Sequence, residues 1–161
     1  MILEIIGVII LVFVCIFIAN IVEDVKRNRS KISFKEAMDL VELPIVTFNN
    51  KGQKLNFLLD TGSNMSLINE SLLPNLSYEM TDEEGDTMGI DGNKLTHQYC
   101  LMDISYKSQV FNERFSILDL TDAFNVIKQE DGVQLHGILG NRFFETYKYV
   151  LDFKDLIAYT R

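Results

Sequence analysis

The sequence has few of the residues that build disulfide scaffolds and metal sites. Its 161 residues include only two cysteines and two histidines. Cys15 lies in an apolar N-terminal run and Cys100 lies far along the chain, so no disulfide is expected, and this pattern fits a reducing compartment or a fold that needs no disulfide. His97 and His136 have no Cys or His neighbour at ligand spacing, which argues against a zinc site.

Positive charge is also scarce in this chain. Fifteen Lys and Arg stand against 23 Asp and Glu, which gives a formal net charge of −8. Because no basic stripe is present to neutralise phosphates, a nucleic-acid partner is not expected. The sequence has no Gly-rich phosphate loop, internal repeat or low-complexity tract. The part that follows the N-terminal run, about 125 residues, is enough for one domain with one core.

An apolar run extends from Ile2 to Val22 and is interrupted only by Glu4 and Asn20. At about 1.5 Å per residue, about 21 helical residues cross a hydrocarbon core of about 30 Å. Residues 1–22 are therefore predicted to be a single transmembrane anchor that contacts the lipid bilayer through residues 2–22. A cleaved signal peptide is the alternative, but it favours basic residues before the run and small residues at its end.

Basic residues follow the apolar run and none precedes it. The positive-inside rule then places the N-terminus outside and the remaining chain in the cytoplasm. Residues 23–41 are interpreted as a juxtamembrane linker, in which Ser33 and Glu36 have the spacing of a helix capping box. The basic residues of this linker are Lys26, Arg27, Arg29 and Lys31.

From residue 42 onward the pattern is typical of strands. Leu43–Phe48 and Gln53–Leu59 flank the turn residues Asn49-Asn50-Lys51-Gly52, which predicts a hairpin. Many short strands with a few small helices indicate an all-β or β-dominated domain over residues 42–161, in the form of a closed barrel. Further expected elements are strands at Ser66–Ile68, Leu95–Tyr106, Val110–Leu118 and Ile138–Leu139, a hairpin at Tyr149–Tyr159, helices at Thr121–Lys128 and Asn141–Tyr147, a helical turn at Asn69–Leu73, and an acidic loop at Tyr78–Asp86.

One carboxylate stands at the end of an apolar strand, in Leu58-Leu59-Asp60-Thr61-Gly62-Ser63. A buried acid is costly unless it is hydrogen-bonded or shared, so this position favours a catalytic interpretation of Asp60. Asp-Thr-Gly by itself is also an ordinary turn sequence. The hypothesis therefore needs a second element.

Gly137-Ile138-Leu139-Gly140-Asn141 supplies that element. A strand that ends in Asp60-Thr61-Gly62, then a hairpin with glycines, then Gly-Ile-Leu-Gly before a helix resembles the retropepsin-like aspartic proteases, roughly over residues 42–160. The resemblance implies a retropepsin-like closed β-barrel in which Gly137–Asn141 crosses behind the catalytic loop. It also implies an aspartic endopeptidase that cleaves protein or peptide substrates and needs neither a metal nor a cofactor.

The resemblance assigns roles to residues at matching positions. Asp60 is the catalytic carboxylate, Thr61 braces the loop across a dimer axis, and Gly62 brings its N–H close to the carboxylate. Ser63 is expected to donate a hydrogen bond to the outer oxygen of Asp60 and to favour its charged form. The predicted substrate-binding flap has its tip at Gly89, Ile90, Asp91 and Gly92.

The sequence contains only one Asp-Thr-Gly, while the chemistry uses two carboxylates that share one proton. At about 4 Å and an effective dielectric constant near 20, the repulsion between two carboxylates is roughly 4 kcal/mol, which separates their titrations by about 3 pKa units. The second carboxylate is therefore expected to be Asp60 of another copy in a homodimer. Two alternatives remain: a membrane-tethered dimerisation or peptide-binding module of the same fold without activity, and a structural membrane protein with an incidental Asp-Thr-Gly turn.

Overall fold

The computed structural model describes residues 33–88 and 94–160, together with the single positions 12, 14, 16 and 18, which are helical. The chain divides into two compact units, Met1–Lys31 and Ile32–Arg161. The anchor predicted for residues 1–22 lies outside the described residues except at those four positions. Within the described part of the chain, no helix combines the length and the apolar character needed to cross a bilayer.

Strands are the commonest secondary structure in the described part of the Ile32–Arg161 unit. The helices are α1 (Phe34–Val41), α2 (Thr121–Asp131) and α3 (Asn141–Tyr147), with one 3₁₀ helix at Glu70–Asn75. The strands are β1 (Ile45–Asn50), β2 (Gln53–Leu59), β3 (Ser66–Asn69), β4 (Glu79–Met88), β5 (Lys94–Tyr106), β6 (Gln109–Leu118), β7 (Gly137–Leu139), β8 (Tyr149–Asp152) and β9 (Ile157–Thr160).

Six of these strands close into a barrel. The sheet order is β1-β2-β7-β3-β6-β5-β4, and an antiparallel bridge between Asn49 of β1 and Ser105 of β5 closes the ring. Strand β4 lies outside the ring and pairs with β5, while β8 and β9 form a separate hairpin. The prediction of a β-dominated, closed barrel with a few short helices is confirmed.

Aromatic side chains fill the barrel. Phe48 is 1% exposed, and its ring centroid lies between 5.4 and 6.2 Å from five other aromatic rings. Edge-to-face and tilted contacts of this kind add to the free energy of burying each ring. We call this group the aromatic core; its members are Phe48, Phe57, Tyr106, Phe111, Phe143 and Tyr149.

Helix α1 begins with the capping box that the sequence predicts. The backbone N–H of Ser33 donates to the carboxylate of Glu36 (2.9 Å), and the amide of Glu36 donates to the Ser33 hydroxyl (3.3 Å). Phe34 and Ala37 are buried against the strands. The compact unit therefore begins at Ile32 and includes part of the segment that the sequence assigned to a linker.

The acidic stretch is not the predicted loop. Residues Glu79–Met88 form β4, and within the described part of the chain β5 is its only neighbouring strand. Glu83 of this strand forms an ion pair with Arg114 on β6 (2.7 Å). Carboxylates are tolerated on such a strand because an edge position is open to solvent, and they also discourage pairing with other chains. The loop prediction was wrong because the position in the sheet outweighed the low β-propensity of Asp and Glu.

Candidate active site

Asp60 immediately follows β2, at the point where the chain leaves the barrel core. Leu59 is buried, while Asp60 is half-buried and its neighbours Thr61 and Gly62 are exposed. The backbone N–H of Asp60 donates to the carbonyl of Leu139 at the end of β7 (2.9 Å). The carboxylate is therefore carried on a loop whose first residue is fixed to another strand.

Strand β7 lies between the two strands that flank this loop. It is parallel to β2, with Leu58 opposite Ile138, and antiparallel to β3, with Leu67 opposite the same residue. This is the crossing behind the loop that the resemblance implied for Gly137–Asn141. A strand of three residues thus connects both ends of the Asp60 loop.

Two glycines of this segment allow that close approach. A Cβ at Gly137 would lie 2.4 Å from the carbonyl oxygen of Leu67, and a Cβ at Gly140 would lie 2.3 Å from the carbonyl oxygen of Met65. No side chain fits at such a distance from backbone atoms without displacing them. Glycine is thus required at both positions by the space behind the loop.

The turn holds one oxygen of the catalytic candidate. The N–H of Gly62 donates to Oδ1 of Asp60 (2.8 Å), and the N–H of Ser63 donates to the Asp60 carbonyl (3.3 Å). This is the close approach of the Gly62 N–H to the carboxylate that the resemblance implied. A Cβ at Gly62 would lie 3.2 Å from the same Oδ1, which is a tight contact.

The Ser63 side chain does not make the predicted contact. Its hydroxyl donates to the carbonyl of Met65 (2.8 Å), and its carbonyl accepts the N–H of Asn141 (2.7 Å). A serine hydroxyl has one hydrogen to donate, so it is not available to the outer oxygen of Asp60. The predicted donation is corrected: Ser63 supports the shape of the loop, and it does not set the charge of the carboxylate directly.

His136 has a structural role behind the loop. Its Nδ1 accepts the N–H of Asn56 (2.9 Å), and its own backbone bonds to Asn56 and to Asn69. Burial lowers the pKa of the imidazole and so favours its neutral form. These hydrogen bonds join β2 and β3 to the residue that precedes β7.

The predicted flap tip, Gly89, Ile90, Asp91 and Gly92, lies outside the described residues. The strands on either side are antiparallel, and Met88 is paired with Lys94. Within residues 33–88 and 94–160, no group of three His, Cys, Asp or Glu side chains is arranged to hold a metal ion.

One residue near the loop was not predicted. Glu113 on β6 is only 6% exposed and accepts a hydrogen bond from the Ser66 hydroxyl (2.8 Å). The alternation of Phe111, Glu113 and Phe115 places all three side chains on the inner face of β6, where the two phenylalanines are also buried. The sequence could have pointed to Glu113 through this alternation, because the carboxylate occupies a position where a strand with one buried face normally has an apolar residue.

The comparisons with known proteins agree with this geometry. A family model described as aspartyl protease matches residues 45–143, from β1 through Gly137–Leu139 and into α3. The chain belongs to the aspartyl protease family. Among solved structures, it is similar to the EIAV protease in complex with the inhibitor HBY-793, at 20% sequence identity and a TM-score of 0.50. That match covers 67% of this chain and 90% of the EIAV chain, and it shows a shared retropepsin-like fold. No curated protein matches the sequence.

Proposed function

We propose that this protein is an aspartic endopeptidase whose active site forms between two copies of the chain. The observation that carries the proposal is the Asp60 loop itself. Its carboxylate follows a buried strand, its backbone is tied to Leu139, and its tip at Thr61 and Gly62 is open to solvent. Membership of the aspartyl protease family supports peptide hydrolysis as the chemistry.

The homodimer follows from a missing carboxylate. The chemistry needs a base that activates water and an acid that hydrogen-bonds to the scissile carbonyl. Asp60 is the only Asp in the sequence that precedes Thr-Gly or Ser-Gly. The exposed tip of the loop leaves Asp60 and Thr61 accessible to a two-fold related loop, and a two-fold axis supplies the second Asp60.

In this mechanism the two Asp60 carboxyl groups share one proton. Two like charges at hydrogen-bond distance do not both ionise easily, so one group stays protonated and the pair titrates as a unit. The ionised member removes a proton from water, which attacks the peptide carbonyl, while the protonated member donates to the carbonyl oxygen. No covalent intermediate forms.

The N-terminal segment adds a proposal about location. If residues 1–22 anchor the chain in a bilayer, two copies share one surface, and their effective concentration rises without any new contact between the domains. The basic residues after this segment favour a cytoplasmic protease domain. Both statements rest on the sequence alone.

The test is cleavage of an unfolded protein or a peptide library by the full-length chain in detergent, at acidic and at neutral pH. Asp60→Asn keeps the size of the side chain and removes the acid, so we expect the rate to fall by about 10²–10⁴-fold or more. Asp155→Asn makes the same chemical change at an exposed turn and should leave cleavage unchanged.

Two outcomes would contradict the proposal. An inert wild type that is folded and dimeric would rule out the protease function under those conditions. Peptide binding that survives Asp60→Asn, with no cleavage by either form, would instead support a peptide-binding module of the same fold.

A further inference from the structure

A buried carboxylate lies on the barrel strand next to the catalytic loop. Glu113 is 6% exposed, and its inward neighbours on β6, Phe111 and Phe115, are 3% and 0% exposed. Burial raises the pKa of this carboxyl, while the Ser66 hydroxyl and the charge of Arg142 oppose that rise. A carboxylate in such surroundings is costly to desolvate, so stability alone does not explain why β6 has Glu at this position.

The hydrogen-bond partner of Glu113 is the first residue of β3. Ser66 is 1% exposed, and its hydroxyl donates to Oε1 of Glu113 (2.8 Å). The same hydroxyl oxygen accepts the backbone N–H of Gly140 (3.2 Å). A directional relay therefore runs from the backbone of Gly140 through Ser66 to Glu113.

This relay lies beside two backbone hydrogen bonds between the loop and the segment behind it. Leu139 accepts the N–H of Asp60 (2.9 Å), and the N–H of Asn141 donates to the carbonyl of Ser63 (2.7 Å). Gly140, which lies between them, donates to the side chain of Ser66. Three consecutive residues thus contact positions 60, 63 and 66, and of these three hydrogen bonds the one at Ser66 uses a side chain.

We propose that Glu113 is a positioning residue for Asp60, which acts by orienting the Ser66 hydroxyl to receive Gly140 and so fixes the end of the catalytic loop. This inference rests on the proposed function. A catalytic group must be held within about 0.5 Å of its productive geometry, and a misplacement of about 1 Å costs about 10²-fold in rate. Because Asp60 needs a matching partner across a two-fold axis, any drift of the loop displaces both carboxylates.

Two substitutions separate the hydrogen bond from the charge. Glu113→Gln keeps an acceptor oxygen and the side-chain length, whereas Glu113→Met keeps a similar volume and removes the acceptor. We expect Glu113→Met to lower kcat per folded molecule by about 10–10²-fold with KM little changed. Glu113→Gln should stay close to wild type in kcat. Rescue by the conservative variant identifies the hydrogen bond as the feature that matters.

A second readout does not depend on activity. Amide hydrogen exchange at Gly140 should be faster in Glu113→Met and unchanged in Glu113→Gln, because only the methionine variant leaves the Ser66 hydroxyl without its acceptor. If the wild type proves inert, the proposed function fails, while the exchange rate at Gly140 still decides whether Glu113 holds the loop.

The control is another buried polar side chain that does not touch the loop. Asn50 is 1% exposed and hydrogen-bonds the backbone of Ser77 and of Asp103. Asn50→Leu should lower stability and leave kcat per folded molecule and Gly140 exchange unchanged.

The proposal is overturned if Glu113→Met keeps the wild-type kcat and slow exchange at Gly140. It is also overturned if its activity falls only in proportion to the unfolded fraction, as Asn50→Leu should. Should Glu113→Met not fold, Ser66→Ala removes the relay from the other side and is expected to show the same loss of kcat.

Discussion

Two regions of this barrel are held together in different ways. In the aromatic core, Phe48 contacts rings on β2, β5, β6, α3 and β8, with centroid separations from 5.4 to 6.2 Å. In the loop region, which we define as residues 60–66 with 137–141, backbone hydrogen bonds and glycines bring strands into direct backbone contact. The aromatic core is stabilised by buried apolar area, whereas the loop region is held by hydrogen bonds that need a particular direction and distance.

The difference predicts how each region responds to change. Ring contacts are many and individually weak. Removing one ring therefore lowers stability, while the remaining rings keep the backbone of the barrel in place. Hydrogen bonds in the loop region are few, and each one fixes a particular atom near Asp60. Changes in the aromatic core should therefore lower the free energy of unfolding, whereas changes in the loop region should lower the activity of molecules that remain folded.

Phe48→Ala is expected to have the largest effect on stability. Removing this buried ring leaves a cavity among five aromatic neighbours, and Phe→Ala substitutions in cores cost about 3–5 kcal/mol. Denaturant unfolding measures the loss, and kcat per folded molecule should change by less than about twofold. A kcat that falls tenfold in the folded fraction would show that the two regions are not separable.

Gly140→Ala should have a smaller effect on stability and a larger effect on activity. The added methyl group would lie 2.3 Å from the carbonyl oxygen of Met65, so the loop must move. Strain of this kind costs about 1–3 kcal/mol. Active-site titration combined with unfolding should show a kcat loss beyond the folded fraction.

Gly132→Ala is the matched control for that substitution. Gly132 has φ of +73° and no heavy atom within 4 Å of an added Cβ, so its cost of about 1–2 kcal/mol comes from the backbone conformation alone. Equal kcat losses in the two alanine variants would contradict a special role for the loop region.

His136→Asn should have the smallest effect, seen only as pH changes. Burial holds the pKa of His136 below its ordinary value of 6.5, so the folded state binds fewer protons than the unfolded state. The contribution of His136 to the free energy of unfolding is complete at pH values above the pKa of the unfolded state. It is lost as the pH falls below about 6.5 towards the pKa of the folded state. Asparagine keeps an acceptor for the Asn56 amide and does not titrate.

Urea unfolding of both proteins at neutral and acidic pH measures this effect. The wild type should lose more stability than His136→Asn as the pH is lowered. Burial raises the pKa of Glu113, so this residue makes stability depend on pH with the opposite sign. Because Glu113 is present in both proteins, its effect cancels when the stability of the variant is subtracted from that of the wild type. If the unfolding free energies of the two proteins change in parallel with pH, the lowered pKa of His136 is contradicted.

Elements that are determined by short stretches of sequence were predicted correctly. The capping box at Ser33, the hairpin at Asn49–Gly52 and the glycine-flanked strand β7 each combine a turn or cap signal with the period of one element. Strand β4 was missed because its acidic composition is acceptable only at a sheet edge, and the sequence does not show where a strand lies in the sheet.

The hydrogen bonds of the Asp60 loop were predicted in part, for a related reason. The contact between Gly62 and the Asp60 carboxylate was predicted from a short motif, because it lies within the turn. The hydroxyl of Ser63 was assigned to the wrong acceptor because two acceptors, Asp60 and the Met65 carbonyl, are close in sequence. Glu113 and Ser66 are 47 residues apart and meet only through the pairing of β3 with β6, which no local pattern reveals.

The central claim is that catalysis needs Asp60 from two chains. Wild type and Asp60→Asn are unfolded together, refolded in varied proportions at constant total protein, and assayed for cleavage. If each site needs both carboxylates, activity follows the square of the wild-type fraction, and an equal mixture retains about a quarter of the activity. An equal mixture that retains about half would show that each chain acts alone, which would contradict the account.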